Sequence, residues 1–134
     1  MNILGKIKPY LCLYKMISMM KKIFHLSTCK TCQKIIAELN NGEGFELQDI
    51  KEKNVSAAEL DWMRERAGSY EALFSRRAMK FRSLGLHERE LTEQDYRSLI
   101  LEEYTFLKRP VIVIGEAVFA GNARATIEAA KAMN

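Results

Sequence analysis

The sequence holds little of what would mark a secreted, fibrous or membrane-spanning protein. Only three cysteines occur in 134 residues, Cys12, Cys29 and Cys32. That number does not make the disulfide framework of a secreted domain, so a reducing, cytoplasmic setting is expected. Prolines number two, Pro9 and Pro110. No run approaches the roughly 18 consecutive apolar residues of a membrane-spanning helix, and no membrane partner is expected. Hydrophobic residues make up 48% and charged residues 28%, near the globular averages of about 45–50% and about 25%. That balance excludes a disordered chain, a collagen and a disulfide-rich miniprotein. The length suits one domain, and no internal repeat, low-complexity tract or linker divides it.

Strong basicity is also missing once the charge is located. The chain carries 21 basic and 17 acidic residues, net +4. Lys6, Lys8 and Lys15 lie in the first twenty residues, which hold no acid, and the remainder has 18 basic against 17 acidic, net +1. A nucleic-acid binder would carry a larger basic stripe on its folded domain, so no direct nucleic-acid contact is expected. Residues 1–19 form a leader with three readings. A signal peptide is opposed by Lys15, which breaks the apolar run, and by the lack of a small-residue cleavage site. An interfacial helix is opposed by Pro9 in its middle. A misplaced start, with the domain beginning at Met19 or Met20, is the reading favoured here. The leader is thus expected to be extraneous or disordered, and Cys12 to carry no function.

Behind the leader, Lys22–Ser27 reads as a buried strand. Thr28–Thr31 is a polar turn, and Cys32–Leu39 is helical, with Ile35, Ile36 and Leu39 on one face. Asn40 to Gly44 ends that helix, and Phe45–Ile50 alternates as a second strand. A crossover helix between two strands implies parallel pairing. Ser56 and Glu59 make a capping box ahead of Leu60, Met63 and Ala67. A short helix is expected to restart at Gly68-Ser69, with Tyr70, Leu73 and Phe74 inward, continued by Ala78, Phe81 and Leu84. Thr92 to Asp95 is a second cap, opening a helix that is expected to present Tyr96, Leu99, Ile100 and Tyr104. Val111–Ile114 is a dense β-branched strand, joined by Gly115-Glu116 to an antiparallel mate, Ala117–Ala120. Gly121-Asn122 is expected to cap a last helix through Ala132 with Ala123, Ile127 and Ala130 on its packed side. The order is β-α-β, a helical insert at about 56–105, then β-β-α. This is an α/β, thioredoxin-like pattern with a four-stranded mixed sheet, expected as one domain over 20–134.

The sharpest chemical signal is Cys29-Lys-Thr-Cys32 between a strand and a helix start. A thiol at a helix N-terminus meets unpaired N–H groups and the positive end of the dipole, both of which favour thiolate. Cys29 is expected to be the nucleophile, and Cys32, one turn deeper on the same face, the resolving thiol. Lys30 adds positive charge, and the N–H groups near Lys30 and Thr31 would hold developing negative charge. Two readings compete: a half zinc site, for which no second ligand pair stands at metal spacing, and two ordinary cysteines without a redox role, since a bare Cys-x-x-Cys is common. No metal and no organic cofactor are expected. Arg109-Pro110 at a strand entry marks a special backbone geometry, a cis-proline facing the Cys loop in thioredoxin-like folds, with Arg109 beside the thiols. Arg76, Arg77, Lys80 and Arg82 cluster within seven residues with no acid between them, an anion-binding pattern or a solvated basic helix face. His25 reads as a core or edge residue without a role.

Three segments together resemble the arsenate-reductase-like (ArsC) family, which includes the Spx-type regulators. They are Ser27-Thr-Cys-Lys-Thr-Cys32, Ala72-Leu-Phe-Ser-Arg-Arg77 leading into Leu84-Gly-Leu86, and Leu107-Lys-Arg-Pro-Val-Ile-Val113. The resemblance spans about Lys21 to Met133, and the order and spacing are specific where each segment alone is not. It implies a thioredoxin-like core with a helical insert and a nucleophilic cysteine at Cys29. In the glutaredoxin-linked arsenate reductases that cysteine attacks arsenate, three arginines hold the oxyanion, and glutathione with glutaredoxin completes the reduction. Arg109 matches the arginine before the cis-proline. Arg76 neighbours the second, whose position holds Ser75, and the third falls in 120–122, which hold none. Asn-Pro before the cysteine is Leu26-Ser27 here, and the arginine after the loop is Gln33. The second cysteine, Cys32, is similar to the Spx-type branch, whose members sense thiol oxidation and bind RNA polymerase.

The expectation is a thiol oxidoreductase acting on a small oxyanion or disulfide. Cys29 and Cys32 are catalytic, Lys30, Thr31, Arg76 and Arg109 bind the oxyanion, and glutathione, glutaredoxin or thioredoxin is the reductant. The alternative is a redox-sensing regulator that binds RNA polymerase and turns over no small substrate.

Overall fold

The computed structural model describes residues 20–134; the expectation for the leader lies outside them. Four strands, β1 (Lys21–His25), β2 (Glu46–Asp49), β3 (Val111–Ile114) and β4 (Ala117–Ala120), form one mixed sheet in the order β2-β1-β3-β4. The β1–β2 pair is parallel and carries α1 (Lys30–Glu38) as its crossover. The β1–β3 and β3–β4 pairs are antiparallel, with Ile23 opposite Ile112 and Val113 opposite Val118. Helices α2 (Ala57–Ala67), α3 (Met79–Ser83) and α4 (Glu93–Glu102) make the insert, and α5 (Arg124–Met133) closes the chain. The α/β, thioredoxin-like architecture read from the sequence is the one observed.

Strand alternation explains why the core is double. Successive side chains leave a strand on opposite faces, so Ile23, Ile112 and Ile114 pack with Ile35, Ile36 and Leu39 of α1 and Ile127 of α5. Phe24, Val111 and Val113 point the other way, against Leu60, Met63, Tyr96 and Ile100 of the insert. All four residues of β3 are buried, as a central strand covered on both faces requires.

Both capping boxes form. The Ser56 and Thr92 hydroxyls accept from the Glu59 and Asp95 amides, and those carboxylates accept in return from the Ser56 and Thr92 amides. Ser56→Ala and Thr92→Ala are each expected to cost about 1 kcal/mol in urea unfolding. An unchanged midpoint in either would show that its helix end is held by packing alone.

Three local expectations give way. Helix α4 ends at Glu102, so Tyr104 falls in a 3-10 turn and not on that helix. No helix restarts at Gly68-Ser69: Gly68 is the left-handed C-cap of α2, with φ 97°. Glu71–Leu73 is a single 3-10 turn. The chain then runs extended at Phe74, because this segment pairs with the strand entry. Ser75 N–H donates to Phe106 O at 2.7 Å and Lys108 N–H to Leu73 O at 2.8 Å. That pairing outbids helix propensity until Met79, so Arg76 and Arg77 stand in a turn, and Leu84 is exposed. At the other end, α5 begins at Arg124 with Ala123 as an exposed N-cap, without a side-chain cap. Gly121 is still engaged in the sheet end, its N–H donating to Pro110 O at 2.9 Å.

Candidate functional site

Cys29 sits where β1 hands the chain to α1. The Cys29 N–H donates to Leu26 O at 3.0 Å, which turns the backbone, and the residue becomes the N-cap of α1 in an extended conformation. Its Sγ takes the place of the usual capping oxygen and accepts from the Cys32 N–H at 3.4 Å. Residue types preferred at this position are Ser, Thr, Asp and Asn; a thiolate fills the same role with a full charge. Both thiols are free.

The two cysteines have opposite electrostatics. Partial burial works against a charge on Cys29, but the Cys32 amide and thiol, the Thr31 amide and the Arg109 guanidinium outweigh it and lower its pKa. Burial dominates at Cys32, which is fully enclosed, and together with the adjacent Cys29 pushes its thiol up to about 12. Cys29 therefore ionises at lower pH than Cys32, which keeps its proton when Cys29 has lost its own. Alkylation of Cys29 by iodoacetamide is expected to titrate with an inflection below the ordinary thiol value, with Cys32 unlabelled in that range. Equal labelling, or an inflection at the ordinary value, would contradict the capping argument.

Cys29 opens onto a cavity of about 450 Å³ lined by Thr31, Phe74, Ser75, Arg76, Arg77, Lys108, Arg109, the segment Ala120–Asn122 and Ala123. Four cationic side chains and no carboxylate line it. Arg109 is half-buried, and its Nη1 donates to Thr105 O at 3.1 Å, which fixes the guanidinium near the thiols. The Arg109–Pro110 peptide bond is cis. Arg76 is engaged from behind: Nη2 donates to Glu71 Oε2 and to Tyr96 Oη, both at 2.8 Å, and Tyr96 Oη donates to the same Glu71 oxygen at 3.0 Å. That hydrogen bond from Arg76 is the main reason the Glu71 carboxyl lies below its usual range.

Of the residues singled out from the sequence, Cys29, Thr31, Arg76 and Arg109 are brought together on this cavity. Lys30 is exposed and is not among its lining residues, and Cys32 lies beneath Cys29. The sequence reading missed Lys108. Lys108 joins the lining beside Arg109, its stem 3.5 Å from where a Cβ on Gly121 would be, an ordinary van der Waals distance. Its place next to Arg109 in Leu107-Lys-Arg-Pro110 was the available signal.

Among the described residues, no group of three or more His, Cys, Asp or Glu side chains could hold a metal ion, and no helix is long and apolar enough to cross a membrane.

The sequence profile of the ArsC family matches residues 24–130. No curated protein matches the chain significantly. Among solved structures, the fold is similar to an arsenate reductase from Vibrio cholerae, with TM-score 0.67 and 21% identity over 87% of this chain and 99% of that one. It is also similar to an arsenate reductase (ArsC) related protein from Brucella melitensis, with TM-score 0.64 and 27% identity over 84% and 94% of the two chains. A third likeness is to a Bacteroides fragilis protein described as ArsC-family related, with TM-score 0.71 and 21% identity over 84% and 98%.

Proposed function

Because this chain belongs to the ArsC family, we propose that it is a cytoplasmic thiol oxidoreductase of the arsenate-reductase type, with Cys29 as nucleophile and Cys32 as resolving thiol. The observation that carries this reading is a low-pKa thiol at a helix N-cap, opening onto a cavity with four cations and no carboxylate. Such a cavity favours an oxyanion, because guanidinium groups bind tetrahedral anions through paired donors.

The chemistry follows from the two thiols. The Cys29 thiolate attacks arsenic(V), an As–O bond breaks as water leaves, and a Cys29–arsenic bond forms. Charge on the oxyanion is held by Arg109, with Arg76 or Arg77 across the cavity and the α1 N-terminal amides beneath. Bonding Cys29 to arsenic moves the negative charge from Cys29 Sγ to the arsenic oxygens, which Arg109 faces, and the oxyanion can take the proton that Cys32 gives up. Cys32 then loses its proton and attacks Cys29 Sγ. The sulfur–arsenic bond breaks, its electron pair reduces arsenic to the trivalent state, and a Cys29–Cys32 disulfide forms. A thiol reductant, glutathione with glutaredoxin or thioredoxin, returns both cysteines to thiols.

The test is arsenate-dependent NADPH oxidation, coupled in one series to glutathione, its reductase and glutaredoxin, and in another to thioredoxin and its reductase. Turnover in either series is expected. Its absence in both, from protein whose cysteines still form the disulfide, would refute the enzyme reading. Arg109→Ala is expected to weaken oxyanion affinity by about 1.5–3 kcal/mol, the range for a charged hydrogen bond, or roughly 10- to 150-fold. An unchanged KM for arsenate would remove Arg109 from the site.

One observation favours a second reading. Arg76 is committed to Glu71 and Tyr96, which leaves fewer cations free to converge on Cys29. A redox-sensing protein needs the Cys29–Cys32 switch but no complete anion site, and its readout would be binding to RNA polymerase that differs between the dithiol and disulfide forms.

A further inference from the structure

Helix α3 is a surface element whose exposed side chains serve neither the core nor the thiols. None of its five residues is buried. Met79 is 90% exposed, and Leu84, just past its end, is 58% exposed. The buried Ala78 and the half-buried Phe81, whose ring meets Phe74 edge-on at 6.0 Å, attach it to the domain. Five residues are far too few for a helix to persist alone, so this packing maintains it while Met79 and Leu84 remain in water. Exposed apolar side chains ringed by charge mark contact surfaces.

The arginines beside them that carry no ion pair among the described residues add positive charge to this face. Arg76 is paired with Glu71 and Lys80 with Glu103, whereas Arg77 and Arg82 have no ion pair among the described residues. The face is also continuous with the site, since Arg77 lines the Cys29 cavity. The five residues of α3 rise only about 7.5 Å, so Leu84 follows closely on the turn that carries Arg77. A protein seated on α3 would therefore cover the mouth of the cavity, within the small area typical of redox encounters.

We propose that α3, with Arg77 before it and Leu84 after it, is the docking face for the dithiol protein that reduces the Cys29–Cys32 disulfide. That partner presents acidic residues around an apolar centre beside its own thiols. The inference rests on the redox reading of Cys29 and Cys32 given above. A partner thiolate attacks Cys29 Sγ and breaks the Cys29–Cys32 bond, and the Cys32 thiolate released takes a proton. The partner's second thiol attacks the mixed disulfide and releases Cys29. Two electrons pass to this chain, and the partner leaves as its own disulfide. Small thiols reach Cys29 directly and gain nothing from α3.

The experiment starts from protein oxidised to the Cys29–Cys32 disulfide, confirmed by thiol counting. Its reduction is timed with reduced thioredoxin, with reduced glutaredoxin and with dithiothreitol, for the wild type and for a Met79→Gln/Arg82→Glu variant. Loss of steering is expected to slow reduction by the preferred protein about tenfold and to flatten its salt dependence, with the dithiothreitol rate unchanged. Equal protein-mediated rates in wild type and variant would overturn the proposal. So would a parallel fall with dithiothreitol, which would mean that the substitutions disturb the disulfide itself. Reduction by dithiothreitol but by neither protein would overturn the docking face and leave the redox reading standing. Failure to form the disulfide at all would refute the redox reading, and the docking proposal with it.

Discussion

Cys29→Ser is expected to reduce arsenate turnover to background, a loss on the order of 10⁴–10⁶-fold, as for other enzymes deprived of their nucleophile. The serine hydroxyl can still cap α1, so the fold and the cavity should persist, but it does not ionise in the range where the thiol does. The thiol's advantage comes from its place: it accepts from the Cys32 amide at 3.4 Å and faces Arg109. The check is steady-state turnover beside a urea midpoint for the same protein. Retained activity with an unchanged midpoint would exclude Cys29 as the nucleophile. Cys32→Ser is the informative companion. It removes the resolving thiol while leaving the Cys32 amide that supports Cys29, so Cys29 should stay reactive toward iodoacetamide. Turnover then survives only if an external thiol can resolve the arsenic adduct.

Phe74→Ala is expected to cost about 3–5 kcal/mol, a large share of the roughly 5–15 kcal/mol that holds a domain folded. Phe74 is 1% exposed, stacks on Phe106 at 5.1 Å and meets Tyr96 at 4.9 Å. It also lines the Cys29 cavity, so its ring links the insert's core to the cavity wall. Its removal takes away the ring beside Tyr96, and Tyr96 Oη is one of the two groups that hold Arg76. Urea unfolding measures the first effect. A loss below 1 kcal/mol would show that the cluster closes over the gap and that Phe74 does not hold the insert to the sheet.

Sequence legibility followed the range of the interactions involved. Val111–Ile114 and Ala117–Ala120 were readable to the residue, because a β-branched run and a glycine turn are local signals. Ser56 and Thr92 announced their helices because a capping box is closed within four residues. The segment after Gly68 was misread because its fate depends on partners more than thirty residues away: Ser75 on Phe106, and Lys108 on Leu73. Ala123 was misplaced on the packed side of α5 for a related reason, since Gly121 is bonded to Pro110 and delays the helix start.

The same division runs through the site. Sequence alone determined that a strand, a Cys-x-x-Cys turn and a helix follow one another, and with them the place of Cys29 at the helix N-cap, because capping and the helix dipole act over one turn. It also located Arg109, because an Arg-Pro at a strand entry is a local feature. Only the tertiary structure decided which cations share the cavity with that thiol. Lys108 lines the cavity beside Arg109, with its stem packed on Gly121 just past the last strand. Arg76 arrives already held by Glu71 and Tyr96, from two other elements of the insert. Lys30, next to Cys29 in sequence, lies outside the lining. Charge acts through space, and neighbours in space are set by packing between segments far apart in the chain.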